Sequence, residues 1–492
     1  MGIVFDSISS TQLQMLAGVE LDRSGVSPSS ASQTSVLFGQ MRSTGTASAT
    51  TAVQVSSYER AQGLFGIGSQ LSLMVKAYLA NDPQGELWCI PMIDKSSGTA
   101  ASGTIQATAA ATASGTIYLW VAGRLLTVGV ASGDTVNTIA ASINSAINAA
   151  TELPVTSTVS TDTVTVTCRH KGTIGNEIDM RVNYGVGQVL PAGVALTITQ
   201  LSSGATDPDT QTTALAALSG VPYRYIVWPY SDDTSLDLVE AEMLDRWDPN
   251  EGSLGGAFTG IDDTVANLTT WAGSRNSPHV VGVGLYASPT PIWQTAAAVA
   301  GAAARSLKAH PAVPLAGKVV KGVLAPAQAS RFTATERNTL GLAGVAGLRF
   351  DPSGACQMDS MVTCYLTDSA GAADTRFQYC NALYQTAYLI DDIQATVRAT
   401  CANKILVDDA SVVAPGTPAI DTSMIRARLI GRYAEHVRAA VVEDVDGFAD
   451  QIVVQRTVGN ANRVDVLYPP DLANQLNVLA VLVRPYAQYP EV

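Results

Sequence analysis

Charge is scarce in this 492-residue chain: Asp, Glu, Lys and Arg together make up 14% of it, about half the usual share of a soluble domain. A surface built this way is either unusually uncharged or covered by something else. The charge that is present leans acidic, with a formal net of −13 and no Lys/Arg run. That balance argues against binding nucleic acid through general phosphate attraction. Histidine is rarer still. His170, His279, His310 and His436 lie far apart, with no HExxH and no cysteine at ligand spacing, which argues against zinc catalysis. Six cysteines (Cys89, Cys168, Cys356, Cys364, Cys380 and Cys401) include no CxxC pair. They fit buried free thiols in a reducing cytosol rather than a metal site.

Other signatures are missing too. GLFGIGSQL (63–71) lacks the GxxxxGK[ST] frame of a phosphate loop. No GxSxG elbow occurs, and GSLGG (252–256) reads as a loop. The opening MGIVFD has no basic stretch followed by an apolar one, so no signal peptide is expected. Asp6 stands where myristoylation requires Ser or Thr. The longest apolar run, Ile292 to Ala304, is too short and too weakly apolar to span a bilayer, so no membrane insertion is expected. No catalytic group, metal site or cofactor is nominated. The acid pairs Asp232/Asp233 and Asp262/Asp263 precede expected helices, where carboxylates favour the positive end of the helix dipole. Asp391 and Asp392 fall inside a long expected helix and read as a solvated face or an interface contact.

What is present is a periodic chain of strands and helices. TSVLFGQ (34–40) reads as a buried strand, and SQLSLMVKAYLAND (69–82) as a helix with Leu71, Val75, Tyr78 and Leu79 on one face. ELWCIPMI is a further strand. A composition break at 96–116, almost all Ala, Ser, Thr and Gly, leads into TIYLWVAGRLLTVGV, two strands with a turn at Ala122–Arg124. A helix follows, capped by Asp134 or Thr135, with Val136, Ile139, Ile143 and Ile147 at helical spacing. Strands and helices alternate again from YRYIVWPY to the helix beginning at Ile292. LRFDPSGACQMDSM then reads as a hairpin turning at Asp351–Gly354. Two long helices and three strands, QIVVQRTV, RVDVLYP and NVLAVLVRP, end the chain.

This pattern implies a multidomain α/β and α+β protein. A layered α/β host domain (31–99 and 204–329) is interrupted by a small α+β insert (100–203). An α+β C-terminal domain (330–492) follows, and residues 1–30 form an extended arm. Two features raise the question of a partner. Arg426, Arg428, Arg432 and Arg438 recur on the second late helix, a solvated face or, in an acidic chain, a place to meet an acidic partner. LNVLAVLV (476–483) is apolar on both faces of any strand it could form. It is either a central strand of its own domain or a strand donated to another sheet.

Several segments resemble contractile tail sheath proteins of Mu-like bacteriophages. These are YERAQGLFGIGSQLSLMVKAYLANDPQGELWCIPM, YRYIVWPYSDDTSL, LDRWDP, SRNSPH, HPAVPLAGKVVKGVLAP with RFTATERNTL, VTCYL and NRVDVLYPPDLANQLNVLAV. They lie in order across nearly the whole chain. One departure is Thr363-Cys364-Tyr365, where the family has Thr-Thr-Tyr. The resemblance implies a structural role without nucleotide consumption: a homo-oligomer, stacked as a helical sleeve around a tail tube, that shortens and widens to drive the tube through a bacterial envelope. It implies tube, baseplate and tail terminator proteins as partners, assembly in the host cytoplasm, and a place in the virion tail, with the insert on the outside. It also implies terminal arms that add strands to a neighbour's sheet, here through Val19 and Leu21 and through Leu476, Val478, Leu479, Ala480, Val481, Leu482 and Val483. The arginines at 426, 428, 432 and 438 are the candidate tube-facing residues. The rival readings are a cytosolic α/β enzyme of unknown substrate and a surface adhesin or shell protein.

Overall fold

The computed structural model describes residues 33–248, 252–409, 411–457 and 460–485. These form two compact units, one built on residues 33–387 with 472–485 and the other on 388–471. The first unit is organised by a nine-stranded sheet. Its order is Val319–Val320, Cys356–Met358, Ala346–Phe350, Val280–Leu285, Gly256–Asp262, Tyr223–Val227, Thr34–Met41, Leu87–Ile93 and Val53–Gln54. The pairings from Ala346–Phe350 to Leu87–Ile93 are parallel, and the outer strands are antiparallel. Every residue of Thr34–Met41 is buried, as a parallel strand covered on both faces requires.

Glycines show how the two helical layers approach the sheet. A Cβ on Gly260 would stand 2.8 Å from Ile292, on the Ile292–Ala309 helix. On the next strand, a Cβ on Gly282 would collide with the Trp271 ring of the Val265–Gly273 helix. Gly260 is level with Val283, not Gly282, and successive side chains alternate faces, so the two helices cover opposite sides. The Ile292–Ala309 helix packs on Gln70–Asn81, where a Cβ at Gly301 would meet the Tyr78 carbonyl at 2.6 Å. Its Ala297, Ala300, Ala303 and Ala304 are fully buried. The run that is too short for a membrane is thus a helix of small residues allowing close backbone contact, and alanine has the best intrinsic helix propensity.

The insert carries its own core, centred on Ile105, Ile117, Leu119, Ile139, Ile143 and Val164. A four-stranded sheet (Ala195–Ser202, Ala100–Ala109, Thr163–Lys171, Val155–Ser160) and a three-stranded one (Arg124–Val130, Gly115–Val121, Met180–Val182) accompany the Val136–Ala149 helix. Thr135 caps that helix by accepting from the Thr138 N–H. The hairpin turn takes Ala122 and Gly123 at positive φ, matching the right-handed twist of the strands it joins. The Ala/Ser/Thr/Gly stretch, read from sequence as a composition break, contains the ten-residue strand Ala100–Ala109, with Ala101, Ile105 and Ala107 buried.

A polar latch fixes this insert to the host sheet. Asp94 follows the Leu87–Ile93 strand. Its Oδ1 accepts from Gln40 Nε2 at 2.9 Å, and its Oδ2 accepts from the Lys171 N–H at 3.1 Å. His170, 1% exposed, accepts at Nε2 from the Gln70 N–H at 3.1 Å, so its proton sits on Nδ1, 2.8 Å from Asp94 Oδ1. Arg181 and Trp293 add bonds to the carbonyls of Ala287 and Ile174 across the same junction.

The expected hairpin at 346–358 is present, with Gly354 at φ 87°. Its strands extend the nine-stranded sheet, so the layered unit continues past residue 330, the expected start of the C-terminal domain. The division into units falls within the Cys380–Cys401 helix. Among the described residues no helix is long and apolar enough to cross a membrane.

Replacing His170 with alanine strands the buried Gln70 N–H and removes a donor from Asp94. The expected loss is about 1–3 kcal/mol of stability, read by urea unfolding, together with faster proteolysis between 95 and 99. Unchanged values would show that water replaces the imidazole.

Candidate assembly surfaces

The second unit holds the end of the Cys380–Cys401 helix, two further helices, a short strand pair and a hairpin. Thr422–Arg438, capped by Asp421, buries Ile425, Leu429, Tyr433 and His436, a helical spacing. Tyr433 stacks on Phe448 of the Val445–Gln451 helix at 3.7 Å between ring centroids, and Tyr468 packs edge-on against Phe448. Val453–Arg456 pairs antiparallel with Val464–Leu467. Among the described residues these two strands form a sheet by themselves, and Val453, Val466 and Leu467 are exposed on it. A two-stranded ribbon of this kind offers two open edges.

The structure separates the four nominated arginines. At about 100° per residue, Arg428 and Arg438 lie away from the buried stripe, and both are exposed. Arg426 is exposed at the flank and donates to the Ala449 carbonyl. Arg432 turns inward. Its Nε and Nη2 donate to the two oxygens of Asp392 at 2.7 and 2.6 Å, and it also pairs with Glu435. His436 Nε2 donates to the same carboxylate at 2.8 Å. Asp392 is 3% exposed, so the solvated face read from the sequence is, at this residue, the centre of a buried charge network. Burial pulls its carboxyl upward, but the Arg432 and His436 hydrogen bonds outweigh that and bring it down to about 2. Sequence reasoning missed this network; its one local trace is the four-residue spacing of Arg432 and His436, which places them on one helix face.

The C-terminal stretch is anchored at its start and exposed beyond it. Leu472 to Gln475 are tied down: Gln385 Nε2 donates to the Ala473 carbonyl at 3.0 Å, and Gln475 Nε2 to Gln385 Oε1 at 2.9 Å. From Leu476 to Pro485 the chain lies in no strand. Leu476, Val478, Leu479, Val481, Leu482 and Val483 are between 72% and 80% exposed, and Ala480 is exposed beside them. Singly exposed apolar side chains are ordinary, whereas a contiguous apolar patch marks an interaction site. Val19 and Leu21 lie outside the described residues.

The remaining nominated groups have structural engagements. Asp232 caps the Asp233–Arg246 helix, while Asp263 accepts from the Thr264 N–H. Asp262 accepts from the Ala287 N–H, with burial, then Asp179 and Asp263, pushing it up to about 6. Burial lowers His279 to about 4, and His310 Nδ1 accepts from the Ala312 N–H. Burial raises the Cys168, Cys356, Cys364 and Cys380 thiols to about 12, the opposite of an activated nucleophile.

Comparison with known proteins gives these surfaces a context. Residues 96–197 match the model of the phage tail sheath protein beta-sandwich domain, and residues 203–364 that of the phage tail sheath protein central domain. The Mu-like prophage FluMu tail sheath protein of Haemophilus influenzae is 34% identical over 486 residues, 98% of this chain and 99% of that one. The chain belongs to the phage tail sheath family. It is therefore a structural protein of a bacteriophage tail. Solved structures similar to this sheath protein include a sheath tail protein from Desulfitobacterium hafniense (12% identity, TM-score 0.49, 94% of this chain and 97% of that one). Another comes from Listeria innocua (13%, 0.49, 90% and 92%). A chain of the anti-feeding prophage baseplate also resembles it (10%, 0.49, 96% and 100%). The departure at Thr363-Cys364-Tyr365 puts Cys364 in a fully buried place, its N–H donating to the Val280 carbonyl at 3.1 Å.

The Asp392 network gives the sheath chain a defined acid response. A carboxyl at about 2 when folded, against 3.8 ordinarily, stabilises the fold above pH ~4, and that contribution disappears as pH falls toward 2. Its size is roughly 2–3 kcal/mol at about 1.4 kcal/mol per pH unit. Asp392→Asn should flatten the decline of melting temperature between pH 4 and 2. An identical decline in the variant would assign the acid response to other carboxylates.

Proposed function

We propose that this sheath protein polymerises as a helical sleeve around the tail tube, and that contraction of the sleeve drives the tube through the bacterial envelope. No catalytic step takes part. The observation that carries this reading is the exposed apolar tail from Leu476 to Val483. Burying six large apolar side chains contributes about 1.5–3 kcal/mol each. Ordering their backbone costs about 1–2 kcal/mol per residue. A lone tail therefore gains little by folding back, and it becomes stable as a strand only where a sheet edge already exists. Strand addition supplies main-chain hydrogen bonds and buries alternate side chains on both faces. Leu476, Val478, Ala480 and Leu482 face one side, Leu479, Val481 and Val483 the other, and Pro485 ends the ladder.

The Val453–Arg456/Val464–Leu467 ribbon of a neighbouring copy is the acceptor that fits. It has open edges, exposed valines and a leucine. The N-terminal segment with Val19 and Leu21 takes a similar place. Arg426, Arg428 and Arg438 face the tube, whereas Arg432 is committed to Asp392. The insert decorates the outside, baseplate and tail terminator proteins close the two ends, and assembly takes place in the host cytoplasm. A linkage through tails lets bodies rotate while neighbours stay joined, as a transition between two discrete packings requires.

Negative-stain electron microscopy of the full chain beside a version ending at Gln475 tests the reading. That cut keeps the contacts of Ala473 and Gln475 with Gln385. Tubes or stacked rings from the full chain, absent from a truncation with the same melting temperature, are expected. Monomers from both would overturn the sheath reading, and tubes from both would overturn the donated strand.

A further inference from the structure

Sparse as it is, charge in the first unit is sorted. Between 305 and 349 there are seven basic side chains and one acid; between 232 and 248 there are seven acids and one base. The basic group surrounds the open edge of the nine-stranded sheet. Lys318 and Lys321 flank Val319–Val320, the edge strand, and Val319 is 53% exposed there. With Arg305 and His310 they line a hollow of about 400 Å³. Arg349 continues the patch, its Nη2 lying 3.8 Å from where a Cβ on Gly317 would sit, and joins Arg331 and Arg337 around a second hollow of about 230 Å³. Two of the seven are partly neutralised inside the chain, Lys308 by Asp82 and Arg337 by Asp359.

The acidic group lies on the Asp233–Arg246 helix and the turn after it. Arg275 engages Asp233, Asp237 and Glu240 at one end. At the other end, Glu242, Asp245 and Asp248 line a hollow of about 400 Å³ together with the buried Arg246, which lies 3.8 Å from Glu242 and donates to the carbonyls of Val221 and Tyr223, leaving Asp245 and Asp248 as its acidic rim. Asp245 and Asp248 are exposed. This helix joins Tyr223–Val227 to Gly256–Asp262, four to five strands from the basic edge. At about 4.8 Å per strand that is roughly 20 Å, beyond the ~8 Å screening length at physiological salt. The two patches of one copy therefore cannot neutralise each other.

We propose that the basic sheet edge of one copy docks the Asp245/Asp248 end of the acidic helix on the next copy. The contact rests on the sheath reading but adds a second, electrostatic link to the donated strands. Two different patches of one surface meet, so the contact is heterologous and propagates without closing by pairing. Complementary charge also sets approach and register more than it sets affinity.

The test uses two full-length variants, Arg305→Glu/Lys321→Glu/Arg349→Glu and Asp245→Lys/Asp248→Lys, with circular dichroism to confirm folding. Each alone should raise the concentration needed for tubes by on the order of tenfold at low salt, because like charges now face each other. An equimolar mixture should recover assembly, since the reversed edge of one variant meets the reversed helix of the other. Added salt should weaken wild-type tubes and the mixture alike. Tubes from either variant as readily as from wild type would overturn the contact while leaving the sheath reading intact. So would a folded mixture that fails to assemble while wild type succeeds. Wild type that forms no assembly would remove the sheath reading and this contact with it.

Discussion

The parallel pairing of Thr34–Met41 with Tyr223–Val227 is the constraint on which the first unit depends. Those strands lie nearly two hundred residues apart in sequence, yet they are hydrogen-bonded neighbours at the heart of the sheet. A fully buried strand has no solvent to satisfy its backbone, so it must be paired on both edges, and here the partners are Tyr223–Val227 and Leu87–Ile93. Everything between residues 94 and 222 must therefore leave the sheet and return to it. A segment that long can fold only with a core of its own, which the isoleucines of the insert provide. The latch at Asp94, His170 and Gln70 sits where that departure happens, turning a pair of crossing connections into a fixed junction.

The same economy governs charge. With few ionisable groups available, most of them have a definite structural task, and the tasks differ in their chemistry. Asp392 holds a guanidinium and an imidazole in a buried site, where losing one partner would leave an uncompensated charge. Arg275 gathers three carboxylates of the acidic helix, two of them largely exposed, a setting where each pair contributes little by itself. Two further groups of charge gather at the sheet edge and on one helix. On a chain this sparsely charged, such patches stand out to an oppositely charged surface.

Much of this was legible in the sequence, because strong periodicity survives context. The isoleucines at 139, 143 and 147 and the run at 34–40 mark their helix and strand unaided, and the Asp232 cap follows from its place before a helix. The Ala100–Ala109 strand was obscured because alanine, serine and threonine give little contrast between buried and exposed positions, although burial does alternate along it. Past residue 330, short antiparallel strands look the same whether they begin a new domain or extend an old sheet; hydrogen bonding across the sheet decides it. The Asp392 site was illegible because its partners stand forty residues apart. For LNVLAVLV the pattern is ambiguous by nature: a two-faced apolar strand reads alike whichever chain owns the sheet it enters.

That ambiguity points to a division of labour between the two proposed contacts. Main-chain hydrogen bonds between strands are short-ranged and need register, and they carry little memory of which body the strand came from. A tail joined to its body near Gln475 can therefore hold a neighbour through a range of body orientations. Charged patches behave in the opposite way. They act over a screening length, weaken smoothly with separation, and favour the orientation in which unlike surfaces face each other. A body linked by the first kind of contact and oriented by the second can change packing without dissociating, provided the strands persist while the charged faces exchange water for each other. Low overall charge would serve such an arrangement, since every additional ion pair at the body surface would add another orientation competing with the proposed one.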